Sequence, residues 1–169
     1  VTSDTREAAL SIREVRFANG VRLNLKRTDI NKDRAYVQLS VDGGDMLDTR
    51  DNPLATQMVS SLTVGGLGKH RQDELKSILA GHTVSTGIGS TPETFVSSAL
   101  TTPRDLELQL EVMAAFLTDP GYRPEGEIQY RLNINNFFAQ RNATPGAALA
   151  NAIGGILSDN DPRFTLQPV

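Results

Sequence analysis

The chain has 169 residues, with 17 Lys and Arg against 20 Asp and Glu and a net charge of -3, long enough for one domain with a sizeable core. Hydrophobic residues make up 38%, which fits a globular chain rather than a disordered one. No basic stripe suits nucleic acid, no apolar run approaches the ~20 residues of a membrane span, and without cysteine neither a disulfide framework nor a thiolate metal site can form.

Residues 1–12 read as a linker or lead-in, and 13–169 as a single partial domain. Asn19-Gly20 lies between two short runs, and Val21, Leu23 and Leu25 alternate with Arg22, Asn24 and Lys26. That pattern predicts a hairpin, with Asn-Gly supplying the positive φ of a tight turn. Ala35 to Val41 is a further strand, with Ala35, Val37, Leu39 and Val41 on one face, broken by Asp42-Gly43-Gly44-Asp45.

Pro53 opens a helix, with Leu54, Met58 and Leu62 at core-facing spacing and Gly65-Gly66-Leu67-Gly68 as its end. A short helix over 72–80 turns Leu75, Ile78 and Leu79 inward and stops at Gly81. Residues 82–88 and 94–101 read as two strands. Thr102-Pro103-Arg104-Asp105 then sets out a cap, a first-turn proline and an acidic third position. The helix that follows should bury Leu106, Leu110, Met113 and Leu117, and Asp119-Pro120 ends it. Two more helices are expected from Pro124 to Arg141 and from Pro145 to Leu157. Gly154-Gly155 inside the second allows either close packing or a kink. Leu166-Gln167-Pro168-Val169 reads as mid-strand, as in a piece cut from a longer protein. The fold class is α+β: strands 14–27, 34–42, 82–88 and 94–101 in one mostly antiparallel sheet, with helices on one face.

Several segments together carry a family resemblance. Phe17-Ala18-Asn19-Gly20-Val21-Arg22-Leu23, Val41-Asp42-Gly43-Gly44, Gly65-Gly66-Leu67-Gly68, Asp73-Glu74-Leu75, Leu79-Ala80-Gly81 and Thr102-Pro103-Arg104-Asp105-Leu106-Glu107 resemble, in order and spacing, motifs of the pitrilysin/insulysin-type zinc metallopeptidases. Such proteins often hold four homologous domains, and the glycine features look most like the third. Two-chain relatives with an inactive partner also exist. The resemblance implies a processing-peptidase-like domain, truncated at its C-terminus.

Active members carry Gly-Leu-Ala-His-Phe-Leu-Glu-His-Met-Leu where this chain has Pro53 to Leu62. The two histidines and the glutamate of the inverted motif H-x-x-E-H are matched by Thr56, Ser60 and Val59. Two histidines four apart on a helix share a face and can reach one zinc, with a neighbouring glutamate as general base. Two hydroxyls and a valine do neither. The third ligand of the family, a downstream glutamate, is matched by the Asn135-Asn136 segment, and amides are poor zinc ligands. The resemblance therefore implies no catalytic, cofactor or metal residues in this stretch, and zinc only in the parent's catalytic domain.

Other constellations have simpler readings. His70 with Asp73 and Glu74 is a solvated helix start whose acids suit the dipole. Gly87-Ile88-Gly89 lacks the Gly-Lys-Ser/Thr of a phosphate loop. Ser60, Ser61, Ser97 and Ser98 have no recognisable base, since the two histidines, His70 and His82, sit in no triad motif. Asn133, Asn135 and Asn136 beside Phe137 and Phe138 are either a vestigial site or a polar helix face.

The expected function is a non-catalytic domain of a zinc metalloendopeptidase that walls a peptide-enclosing chamber and supports peptide binding. The alternative is a structural or assembly subunit related to inactive processing-peptidase core proteins. Implied partners are other domains of the same peptidase or a homologous partner chain, together with peptide substrate. The resemblance leans toward the bacterial periplasm.

Overall fold

The computed structural model describes residues 1–165, so the mid-strand reading of the last four lies outside the described residues. The chain divides into two compact units, Val1–Arg34 and Ala35–Val169. It is α+β, and its strands pair antiparallel.

The first unit is a meander of β1 (Ser3–Glu7), β2 (Ile12–Arg16) and β3 (Arg22–Lys26). The predicted turn is present: Gly20 has φ 90°, and the Phe17 amide donates to the Val21 carbonyl at 2.9 Å. The lead-in of residues 1–12 carries β1, which pairs with β2 from Ser3 opposite Arg16 to Glu7 opposite Ile12. Val21, Leu23 and Leu25 alternate as expected but remain exposed.

The second unit holds its own three-stranded sheet, in the order β4 (Ala35–Asp42), β6 (Thr94–Thr101), β5 (Gly89–Ser90). The one sheet predicted from 14–27, 34–42, 82–88 and 94–101 is thus two hydrogen-bonded sheets. Between β3 and β4 the chain is polar and turns, with the Arg34 amide donating to the Asn31 carbonyl. The long pair is β4 with β6, running from Ala35 opposite Thr101 to Asp42 opposite Thr94.

The helices are α1 (Gln72–Ile78), α2 (Leu106–Thr118), α3 (Pro124–Gln140), α4 (Pro145–Leu157) and a short α5 (Pro162–Thr165). Proline opens α3 and α4, where its missing N–H costs nothing. The Thr144 hydroxyl caps α4 by accepting from the Ala147 amide.

Two sequence expectations fail here for physical reasons. The buried stripe of α2 is Gln109, Val112, Met113 and Phe116, while Leu110 and Leu117 are about half exposed, at 50% and 45%. The stripe is displaced because Gln109, fully buried, finds backbone partners: its Oε1 accepts from the Ser85 amide at 2.7 Å and its Nε2 donates to the Ser85 carbonyl at 2.9 Å. The same bonds explain why 82–88 is not a strand. Asp105 accepts from the Thr83 amide, Thr101 Oγ1 donates to the Thr83 carbonyl, and Ser97 Oγ donates to the Gly87 carbonyl. Side chains of α2 and β6 take the places of a backbone ladder, and so satisfy the segment without one.

The core of this unit is Leu75, Val112 and Phe116, with Leu67, Leu79, Val84 and Leu108 packed against it. Leu75 is buried as predicted, whereas Ile78 is exposed.

Candidate functional site

The predicted helix from Pro53 is a 3-10 helix, Thr56–Ser61. Its sequence explains the winding. Ser60 Oγ donates to the Gln57 carbonyl, Ser61 Oγ to the Met58 carbonyl and Thr63 Oγ1 to the Ser60 carbonyl, at 2.9, 2.7 and 3.2 Å. Three successive hydroxyls folding back three residues compete for the carbonyls an α-helix needs. The backbone bonds, Met58 amide to Ala55 carbonyl and Leu62 amide to Val59 carbonyl, also span three residues.

That winding decides what Thr56, Val59 and Ser60 can do. At three residues per turn, positions three apart stack and positions four apart diverge by about 120°. Thr56 is buried, Val59 half-buried and Ser60 exposed, so the positions matched to the two histidines do not converge. Thr56 Oγ1 lies 2.9 Å from Asp48 Oδ2 and 3.1 Å from Asp45 Oδ1, and its amide donates to Asp48 Oδ1 at 3.0 Å. Ser90 Oγ also donates to Asp45 Oδ1. Asn135 and Asn136, on α3, are exposed.

A zinc ion does not fit these residues. The Thr56 hydroxyl is committed to carboxylates, the Ser60 hydroxyl to its own turn, and the asparagines lie elsewhere. Among the described residues, no group of three or more His, Cys, Asp or Glu side chains could hold a metal. His70 Nδ1 is 3.8 Å from Glu74 Oε2, an exposed pair at the start of α1.

Two clefts flank the turn. One, of about 510 Å³, is lined by Ala55, Thr56, Met58, Val59, Leu62, Phe95 and Tyr122, with Gly126 and Glu127 of α3. The other, of about 550 Å³, is lined by Pro53, Leu54, Ala55 and Met58, with Tyr130, Ile134, Asn135 and Phe138 of α3. Ala55 and Met58 belong to both, so the clefts adjoin along α3, and the pair is termed the trough. Met58, predicted as core, is 39% exposed and stands between them. Close approach makes the trough: a Cβ on Gly126 would lie 2.7 Å from the Ser61 carbonyl oxygen. Burial, with the Asp48 charge added, raises the Tyr130 phenol above its ordinary pKa.

Arg123, just before α3, fixes the other end. Its guanidinium donates to the carbonyls of Gly65, Leu67, Gly68 and His70. The loop needs glycine at 66, where φ is 71° and a Cβ would meet the His70 carbonyl oxygen at 2.4 Å. Arg123, Asp45 and Asp48 were not among the sequence candidates. The acids three apart after Gly43-Gly44 were the available signal.

A second polar node lies at the start of α2. Asp105, almost wholly buried, faces His82 Nδ1 at 2.8 Å and accepts from Arg104, the Thr83 amide and Thr102. The Arg104 guanidinium foremost, then Thr83 and His82, hold its carboxyl well below the usual carboxylate range. The N-cap of α2 is Asp105 rather than the predicted Thr102, whose Oγ1 accepts from the Asp105 amide at 3.2 Å in the turn before the helix.

This architecture, an antiparallel α+β body with a turn and a long helix beside its clefts, has the fold of a domain found in two solved proteases. One is the ferredoxin protease FusC, as a point mutant in complex with Arabidopsis ferredoxin: TM-score 0.79, 20% identity, covering 99% of this chain and 18% of that one. The other is the periplasmic protease PqqL from Escherichia coli: TM-score 0.78, 13% identity, covering 92% of this chain and 17% of that one. The chain thus spans under a fifth of either neighbour. No family model and no curated protein matches the sequence. Among the described residues, no helix is long and apolar enough to cross a membrane.

Proposed function

We propose that this chain is a non-catalytic domain of a pitrilysin-type zinc peptidase, acting by shape rather than by reaction. Its role is to wall part of a peptide-enclosing chamber and to hold peptide for chemistry done elsewhere. The observation that carries this reading is the pair of clefts beside α3, where apolar Ala55, Met58, Leu62, Ile134 and Phe138 line the walls together with polar Thr56, Glu127 and Asn135, at the turn that the resemblance matches to the zinc motif. Partners in this reading are further domains of the same peptidase or a homologous chain, zinc belongs to the parent's catalytic domain, and the compartment is the bacterial periplasm.

The test is to delete the domain from its parent peptidase and return it in trans. Lost cleavage, restored by the added domain, supports the reading. Cleavage that is equal without it, at equal stability, refutes it and favours a structural or assembly subunit.

A further inference from the structure

We infer that the turn matched to the zinc motif has been rebuilt as a hydrogen-bonded clasp, so that returning the ligand side chains does not return a metal site.

The clasp begins on the sheet. Gly43, Asp45 and Met46 donate their amides to the carbonyls of Glu93, Thr91 and Pro92 at 2.9, 2.9 and 3.0 Å. Gly44, at φ 64°, lets the turn approach so closely that a Cβ there would lie 2.2 Å from the Thr91 carbonyl oxygen. Two rigidly placed carboxylates result. Asp48 accepts from the Thr56 amide, the single proton of the Thr56 hydroxyl is shared between Asp48 and Asp45, and Asp45 also accepts from the Ser90 hydroxyl. Through Asp45 and Ser90 of β5, Thr56 thus ties the 3-10 turn to the sheet. A metal held by the matched positions would join this turn to α3; here a hydroxyl and two carboxylates join it to the 45–48 segment and to Ser90 instead.

The device constrains what the site can become. In the 3-10 winding, residues 56 and 60 point about 120° apart, so histidines there cannot share an ion. The hydroxyl at 56 is also engaged by two acids. Asn135 opens on the second cleft, which neither Thr56 nor Ser60 lines.

Two experiments test this. In the first, Thr56→His, Val59→Glu, Ser60→His and Asn135→Glu are combined, and zinc is measured after equilibrium dialysis. The expected result is far below one equivalent per chain; one tightly held equivalent overturns the inference. The second needs no restored site. Thr56→Val keeps the shape and removes the hydroxyl, leaving carboxylates short of a donor. A Tm loss of about 4–8 °C is expected for a domain of this size, with Thr56→Ser keeping most of the lost Tm. A valine variant melting with the wild type, or a serine variant as unstable as the valine one, overturns the clasp.

Discussion

Gln109 tests the packing most sharply. Gln109→Leu preserves volume in the α2 stripe and removes both bonds to Ser85, the amide at 2.7 Å and the carbonyl at 2.9 Å. Each such bond is worth about 1 kcal/mol net, and the Ser85 groups left without partners add desolvation. Burying an apolar residue in place of an amide offsets part of this. A net loss of about 2 kcal/mol is expected, or roughly 4–8 °C in Tm. The loss should also be local: in hydrogen exchange, the Ser85 amide should lose protection before the amides of β6. An unchanged Tm with Ser85 still protected would refute the claim that side chains hold 82–88 in place of a ladder.

Further outcomes follow from the same structure. Leu110→Ala should cost under about 1 kcal/mol, because the side chain is half exposed, whereas Phe116→Ala in the core should cost about 3–5 kcal/mol in denaturant melts. Arg123→Ala should remove a shared donor from four carbonyls and expose the 65–70 loop to limited proteolysis, while Arg123→Lys, a point donor, should protect it only in part. Asp105, with its folded pKa depressed by Arg104, Thr83 and His82, contributes stability that is full above the ordinary carboxylate pKa near 4. That contribution is lost as pH falls through this range toward the lower folded value. Asp105→Asn should therefore flatten the acid limb of a stability-against-pH curve, and an unchanged limb would remove Asp105 from the account.

Elements announced by backbone chemistry were legible in the sequence. Asn19-Gly20 marked the hairpin, and Pro124 and Pro145 marked the starts of α3 and α4. Errors arose where polar side chains bond to backbone. Gln109 was passed over as core because burial was read from hydrophobicity, which moved the stripe to Leu110 and Leu117. The apolar alternation of 82–88 suggested a strand, yet its partners come from Asp105, Thr101, Ser97 and Gln109 across the sequence. At the site, the match of Thr56, Ser60 and Val59 to the histidines and glutamate of the zinc motif comes from the sequence resemblance. Its geometry could not be read there, because the α-to-3-10 change depends on where Ser60, Ser61 and Thr63 aim their hydroxyls. The acids that receive Thr56 lie a turn upstream, where no periodicity points to them.

The central claim is that the trough beside α3 holds peptide and does no chemistry. The most direct measurement is to titrate an unstructured peptide rich in apolar residues into isotope-labelled protein and follow the amide resonances. Weak, fast-exchange binding is expected, with shifts concentrated at Met58, Val59, Leu62, Gly126 and Tyr130, and with the peptide intact after prolonged incubation. Shifts confined to other surfaces, or cleavage of the peptide by pure protein, would contradict the account.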